Sequence, residues 1–519
     1  MTSLENGPKL WWQSTGWKIV AVFVAGGLVG AFSAVEIAPH VRQTGAFSAS
    51  GPSVTSRSVP QGPSSARKVS TRTSKGKGRA GAKAGLRVGG SQPARAASGK
   101  GGGGPASTLQ CASGQNGGST DQGVSAAAIQ MAITVVDSGI GAAFLRDVRF
   151  AMEAVRNQVN RAGGVCGRQL EIHYVDDGWD AQRGAQYLRN FIQQGIFAVP
   201  VCPSSEGCSV VIDSGDFDKA RIPVIGTDGL RIDQYAHGNG QPESWVWPIA
   251  TSTVSSARIM ADWAYKQGAR HFSVVFDRNY RFGVEAAVAF NAEVKRLTGN
   301  DVQGYNSQYN CQQAFCGITA GQNSYSTEVA QWAPNAGDYT AFFLEPETAL
   351  TWMNDPNTPA ANSSQFKVGY GGAQPLFTRD FAVSCQSKCD GMWVFTGFKP
   401  YIESYKNDPA VRTYVQALAQ TDPQADPYNA FAEGGYVGMQ LLVQALQKVG
   451  PDLTRARLQA TLDSMCLSSG LTIQSKICFG PKNRFANITM QAFQIQYKGS
   501  FGGWRAGDIL KDPRPGALR

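Results

Sequence analysis

From about residue 125 the apolar positions switch repeatedly between two periods. Ile129–Val136 is a mostly apolar run, as a strand buried on both faces requires. Val148, Ala151, Met152, Val155 and Val159 follow at helical spacing, and Gly163-Gly164 ends that helix. Leu170–Val175 predicts the next strand, and Ala185, Leu188, Phe191 and Ile192 predict a second helix. Ile196–Val201 predicts a third strand and Ile222–Ile225 a fourth. The alternation then restarts with helix Ala257–Lys266, strand Phe272–Phe276, helix Val284–Leu297 and a strand near Val302–Tyr309. Strands at Thr340–Leu344, Lys367–Tyr370 and Met392–Phe395 complete the second set. Such alternation means parallel sheets built from right-handed crossovers. Two successive sets predict two lobes, and 519 residues exceed what one core organises. A long apolar helix over Ala430–Val449 follows the second set, so the chain is expected to return to the first lobe.

The first 124 residues have a different pattern. Ile19–Val35 is a run of 17 residues without a charge, preceded by Lys9 and Lys18. It fits either a short membrane anchor or a signal peptide with a small-residue cleavage site at Ala31-Phe32-Ser33. Both readings export the chain, and the uncleaved anchor is preferred. Residues 37–124 are Ser, Gly, Ala, Pro, Lys and Arg, a composition that predicts a disordered basic tether. The expected division is therefore 1–36 as signal peptide or anchor and 37–124 as linker. Residues 125–252 with about 400–480 form lobe one, and 253–399 with about 481–510 form lobe two.

Charge changes little in this picture. The net charge of +10 is concentrated in the tether, where 12 Lys or Arg stand between Ile37 and Ser119 without one Asp or Glu. From residue 120 onward 34 basic groups face 36 acidic ones, so nothing there asks for nucleic acid. Ten cysteines include the close pairs Cys202/Cys208, Cys311/Cys316, Cys385/Cys389 and Cys466/Cys478, leaving Cys111 and Cys166. An even number in local pairs reads as disulfides in an oxidising compartment. No His stands beside these pairs, which disfavours zinc.

In open α/β sheets ligands bind beyond the carboxyl ends of the strands. The loops there are Asp137–Gly141, Pro203–Gly207, Gly226–Gly229 and Asp277–Gly283, each rich in Gly and in hydroxyl or carboxyl groups. Any one of these residues serves equally well as a helix cap; four such loops together favour a site.

Asn160–Glu171 with Asp176-Asp177 and Pro223-Val224-Ile225-Gly226 resembles the type I periplasmic binding proteins of branched-chain amino-acid uptake systems. So do Asp277–Gly283, where Arg281-Phe282 separates Tyr280 from Gly283, and Tyr428–Phe431 leading into a long helix. The similarity runs over about residues 126–500. It implies two doubly wound lobes joined by a three-stranded hinge and closing on a solute like a clamp. The implied contacts are Phe144, Ser204, Ser205, Thr227, Asp228, Tyr280 and Gln374. Asp228 brings its own charge, and Gly371–Gln374 carries no acid for an ammonium, so the solute is left open. The resemblance also implies a membrane permease and an ATPase as partners of an ABC-type importer, with no cofactor. An anchored ligand sensor of the envelope is the alternative.

An extracellular enzyme is the rival class. No G-x-S-x-G, H-E-x-x-H or P-loop motif occurs, no G-x-G-x-x-G follows a predicted strand, and His173, His237 and His271 are the domain's only histidines. Asp176 and Asp177 are adjacent at a strand end and are expected to point apart rather than act as a pair.

Overall fold

The computed structural model describes Cys111 and residues 115–225, 245–303, 317–481 and 484–515. The apolar run Ile19–Val35, nearly all of the tether, Thr227, Asp228 and the Cys311/Cys316 pair lie outside them. Among the described residues no helix is long and apolar enough to cross a membrane.

The chain first forms β1 (Ala128–Val135), α1 (Ala142–Arg161), β2 (Gln169–Asp176), α2 (Ala181–Gln194), α3 (Ser205–Asp213), α4 (Asp216–Ala220), β3 (Val224–Ile225) and β4 (Val246–Trp247). The second set is α5 (Thr253–Lys266), β5 (Phe272–Asp277), α6 (Arg281–Thr298), β6 (Gly317–Ile318), α7 (Ser326–Trp332), β7 (Tyr339–Phe343), α8 (Pro346–Asn354), β8 (Gly369–Gly372), α9 (Arg379–Cys385) and β9 (Trp393–Thr396). Then come α10 (Pro409–Thr421), α11 (Ala430–Val449), α12 (Arg455–Leu462), β10 (Cys466–Leu467), β11 (Ile477–Cys478), β12 (Thr489–Tyr497) and β13 (Phe501–Lys511).

In the first half β1 lies parallel to β2. Single parallel bridges, Met131 to Ala198 and Val199 to Val224, continue the layer, and β3 is parallel to β4. The lateral order is thus β2, β1, the 198–199 segment, β3, β4, a doubly wound arrangement. The third strand expected over Ile196–Val201 is therefore an extended segment held by isolated bridges. Only Val224-Ile225 of the fourth is regular strand. The second half is one sheet in the order β13-β12-β9-β8-β7-β5-β6. Its strands β5 to β9 are parallel, and the last two add as antiparallel strands beside β9. The strand expected near Val302–Tyr309 is described only at Val302-Gln303, where Gln303 N–H donates to Phe272 O without forming a strand.

After β9 the chain returns, and α11 lies along α1 with α10 and α12 beside them. Asn429 couples the two long helices: its Oδ1 accepts from Phe431 N–H and Ala432 N–H at the start of α11, and its Nδ2 donates to Phe144 O in α1. The helices approach closely at Gly435, where an added Cβ would lie 2.7 Å from Val148 Cγ1 and 2.9 Å from Val148 O. Elsewhere in a helix Gly→Ala stabilises by up to about 1 kcal/mol. Here Gly435→Ala is expected to destabilise by roughly 1–3 kcal/mol through overpacking, read as a lower urea midpoint. A raised midpoint would refute the close approach.

Three connections join the halves: β4 to α5, β9 to α10, and β11 to β12. They lie together, since Asn487 Nδ2 donates to Ile249 O (2.9 Å), and a Cβ added at Gly397 would lie 3.1 Å from Thr251 Oγ1 and 3.2 Å from Asn487 Nδ2.

Residues 115–124, which composition places in the tether, are fastened to the first half. The buried Arg168 donates to the Asn116, Gly118 and Ser125 carbonyls, and Cys111 is bonded to Cys166. Cys202–Cys208, Cys385–Cys389 and Cys466–Cys478 are also disulfides, the last across the β10–β11 ladder.

Candidate functional site

Three of the four loops singled out by sequence, Asp137–Gly141, Pro203–Gly207 and Asp277–Gly283, lie among the described residues, and they meet around one ring. Trp179, three residues beyond β2, is 5% exposed. Its indole stacks on Tyr280 (centroids 4.1 Å apart, planes at 20°), meets Phe144 edge-on at 5.4 Å, and lies 6.5 Å from Phe282. Phe144 in turn meets Phe431 edge-on at 5.2 Å. Trp179 and Phe144 belong to the first half, and Tyr280 and Phe282 to the second. Trp179 Nε1 donates to Ser205 Oγ at 3.3 Å.

The two acids before Trp179 do point apart. Asp176 Oδ1 accepts the N–H groups of Asp137 and Gly178, and its Oδ2 accepts from the Ser138 hydroxyl. Burial works to raise its pKa, but these hydrogen bonds outweigh it and hold the carboxyl below its ordinary value. Asp177 turns inward, where burial pushes it up to about 6 against the opposing pull of the Ser204 hydroxyl, the Trp179 N–H and the Thr134 hydroxyl.

The second half supplies a matching buried acid pair. Asp277 at the end of β5 accepts Glu345 N–H (2.9 Å), and Glu345 caps α8 by accepting Glu347 N–H and Thr348 N–H at 2.6 Å each. Burial and then the Glu345 charge raise Asp277 well above its usual value, while burial brings Glu345 to about 6. Burial first, then Asp277, Glu345 and Glu206, push the Tyr280 hydroxyl up to about 12, so it stays a proton donor at neutral pH.

Of the residues expected in the site, Phe144, Ser205 and Tyr280 are thus gathered around Trp179, and Ser204 lies with Asp177. Gln374 stands at the end of β8, fully buried; its Oε1 accepts from Thr396 Oγ1 (3.1 Å), and its Nε2 has no hydrogen-bond partner among the described residues. Trp179, Asp177, Asp277 and Glu345 were not singled out as contacts. Trp179 follows a strand-end Asp-Asp-Gly, which is the one signal the sequence offered.

The halves also touch beyond these rings. Arg281 Nη1 pairs with Asp213 Oδ2 at 2.6 Å, Arg379 N–H donates to Asp426 Oδ2 at 3.0 Å, and Ala430 N–H donates to Phe377 O at 3.3 Å. Hollows of about 400 Å³ beside Arg270 and His271 and about 300 Å³ between α1 and α11 reach none of the strand-end loops. Among the described residues no group of three or more His, Cys, Asp or Glu is placed to hold a metal ion.

Two α/β halves, three neighbouring connections and facing strand-end loops define a clamp of the periplasmic-binding type. Residues 128–500 match the model of the periplasmic binding protein family, and the chain belongs to that family. Its fold is that of a fatty acid ABC transporter substrate-binding protein from Thermomonospora curvata (18% identity, TM-score 0.63, covering 76% of this chain and 95% of that one). It is similarly close to a branched chain amino acid ABC transporter from Thermus thermophilus with bound valine (12%, 0.61, 73% and 96%). A solute binding protein of an R. palustris ABC transporter in complex with 4-hydroxybenzoate also matches (12%, 0.59, 75% and 98%). No curated protein sequence matches the chain significantly.

Proposed function

We propose that this protein is an extracytoplasmic solute-binding protein that captures a small molecule between its halves for an ABC-type importer. The observation that carries this reading is the convergence of strand-end loops from both halves on a shared set of rings and buried polar groups. Phe144, Ser204, Ser205, Tyr280 and Gln374 are its proposed contacts, together with Thr227 and Asp228 on the loop after β3. The adjacency of three connections supports a hinge, and a solute that touches both halves favours the closed form by its differential affinity. A permease and an ATPase are the partners of that form. Phe144 and Tyr280 offer apolar area, whereas the Gln374 amide offers an N–H to an acceptor on the solute. Proteins of this fold hold solutes as different as valine and 4-hydroxybenzoate, which sets the breadth of the first screen.

The test is a thermal-shift panel of amino acids, aromatic acids and fatty acids on the full chain. A true solute at 100 times its Kd is expected to stabilise by about 2.7 kcal/mol. Gln374→Ala is then expected to weaken that solute about tenfold or more, as loss of a buried hydrogen bond does. A panel without any shift would remove the solute-binding reading.

A further inference from the structure

We infer that Trp179 is the latch of the clamp: a positioning residue that sets how firmly the two halves hold each other closed. The inference rests on the solute-binding reading only for the use the molecule makes of closure. Its own warrant is geometric. Trp179 adopts φ +64°, the left-handed region, where a bulky side chain is a rare outlier. Such a conformation persists only where its surroundings over-determine it, and it collects at clamps and switches.

The restraints on Trp179 come from two sources. The first half supplies Asp177 Oδ1, which accepts the Trp179 N–H at 2.9 Å, along with Ser205 Oγ and the edge of Phe144. The second half supplies the face of Tyr280, in van der Waals contact with the indole, and the flank of Phe282. Opening the clamp removes the second group and leaves the first. The indole would then lose its stacking partner and meet water while the backbone kept its unfavourable conformation. Aromatic stacking of this kind stabilises beyond the area it buries, so the pair couples the position of the β2 loop directly to closure. No other aromatic pair among those around Trp179 stacks face to face across the halves: Phe144–Phe431 is edge-on and within the first half.

The surrounding contacts distinguish this role from plain core packing. Arg379 N–H and Ala430 N–H donate across the halves, to Asp426 Oδ2 and Phe377 O. Their exchange with solvent therefore reports opening, while amides of β1 and β7 report unfolding of each half. Hydrogen exchange of the full chain, with no solute added, is the experiment. Trp179→Ala is expected to speed exchange at Arg379 and Ala430 about tenfold, the effect of losing one stacked pair, with β1 and β7 unchanged. Tyr280→Ala, made from the opposite half, is expected to do the same. The double variant should add little to either single change, because both remove one interaction. Trp179→Phe, which keeps a ring, should restore most of the protection.

Unchanged exchange at the two cross-half amides would overturn the latch, as would additive single effects. Equal acceleration in β1 and β7 would overturn it too, since Trp179 would then be ordinary core. Because no solute enters the measurement, a panel that finds no ligand leaves this result standing, and a failed latch leaves the panel's result standing.

Discussion

Replacing Arg455 with methionine is expected to lower the unfolding free energy by roughly 2–4 kcal/mol, among the larger effects available to a single side chain outside the site. Arg455 opens α12 and is 9% exposed. Its guanidinium donates to Ile196 O (2.5 Å), Phe197 O (3.2 Å) and Ala220 O (3.3 Å), and its own N–H donates to Asp121 Oδ2 (2.7 Å). One side chain thus ties together the irregular third segment of the first sheet, the end of α4, the returning helix and the chain before β1. Burial depresses the guanidinium pKa and Asp121 raises it, but the site never neutralises an arginine. Methionine keeps most of the aliphatic volume while removing every side-chain donor, so the loss measures the carbonyls left without a partner. Lysine keeps the charge and not the fork, and is expected to recover only a minor part. Urea unfolding of the two variants checks this. A loss below 1 kcal/mol for Arg455→Met would mean that water satisfies those carbonyls as well as the guanidinium does.

Why the third segment needs such a brace also explains what sequence could and could not reveal. The elements buried on both faces were legible: β1 and β5 read as nearly continuous apolar runs, β2 showed the alternation of a half-buried strand, and α11 begins and ends at the expected Ala430 and Val449. Ile196–Val201 has the same apolar character, yet its hydrogen bonding is settled by neighbours far away in the chain, Gln130, Pro223 and Arg455, which no local pattern encodes. The closing pair β12–β13 was hidden for a different reason. Gly502, Gly503 and Gly507 dilute the alternation of β13, whose outer edge faces solvent.

The site divides along similar lines. Phe144, Ser204, Ser205, Tyr280 and Gln374 were reachable because strand-end loops can be found from the strands. Trp179 was not, because a left-handed tryptophan has no sequence signature and its partner, Tyr280, lies about a hundred residues on in the other half. The Asp277–Glu345 contact is likewise a property of neighbouring strands β5 and β7, not of sequence spacing.

These same acids predict the second large effect: the folded protein is expected to lose stability as pH rises from about 4.5 to 7. Asp177, Glu345 and Asp426 are each raised to about 6, chiefly by burial, from ordinary values of 3.8, 4.5 and 3.8. The folded state therefore binds protons that the unfolded chain has already released. For a carboxyl raised in this way, the stabilisation is fully present below the unfolded pKa and is lost as pH climbs through the folded one. Each shift is worth on the order of 2–3 kcal/mol, at 1.36 kcal/mol per unit. Asp216, Asp301 and Asp338 act in the opposite sense. Their carboxyls sit below 3.8, held there by hydrogen bonds and cations against burial, so their contribution disappears only in stronger acid. Asp177 and Glu345 stand at the clamp with Asp277, and Asp426 accepts Arg379 N–H across the halves, so the loss should fall partly on closure. Unfolding midpoints measured in urea between pH 4.5 and 8 check the sign. Asp177→Asn, which cannot ionise, is expected to flatten the slope. A profile that rises between pH 5 and 7 would mean that these carboxyls are ionised in the folded protein, and with them the desolvation inferred for both walls of the clamp would fall.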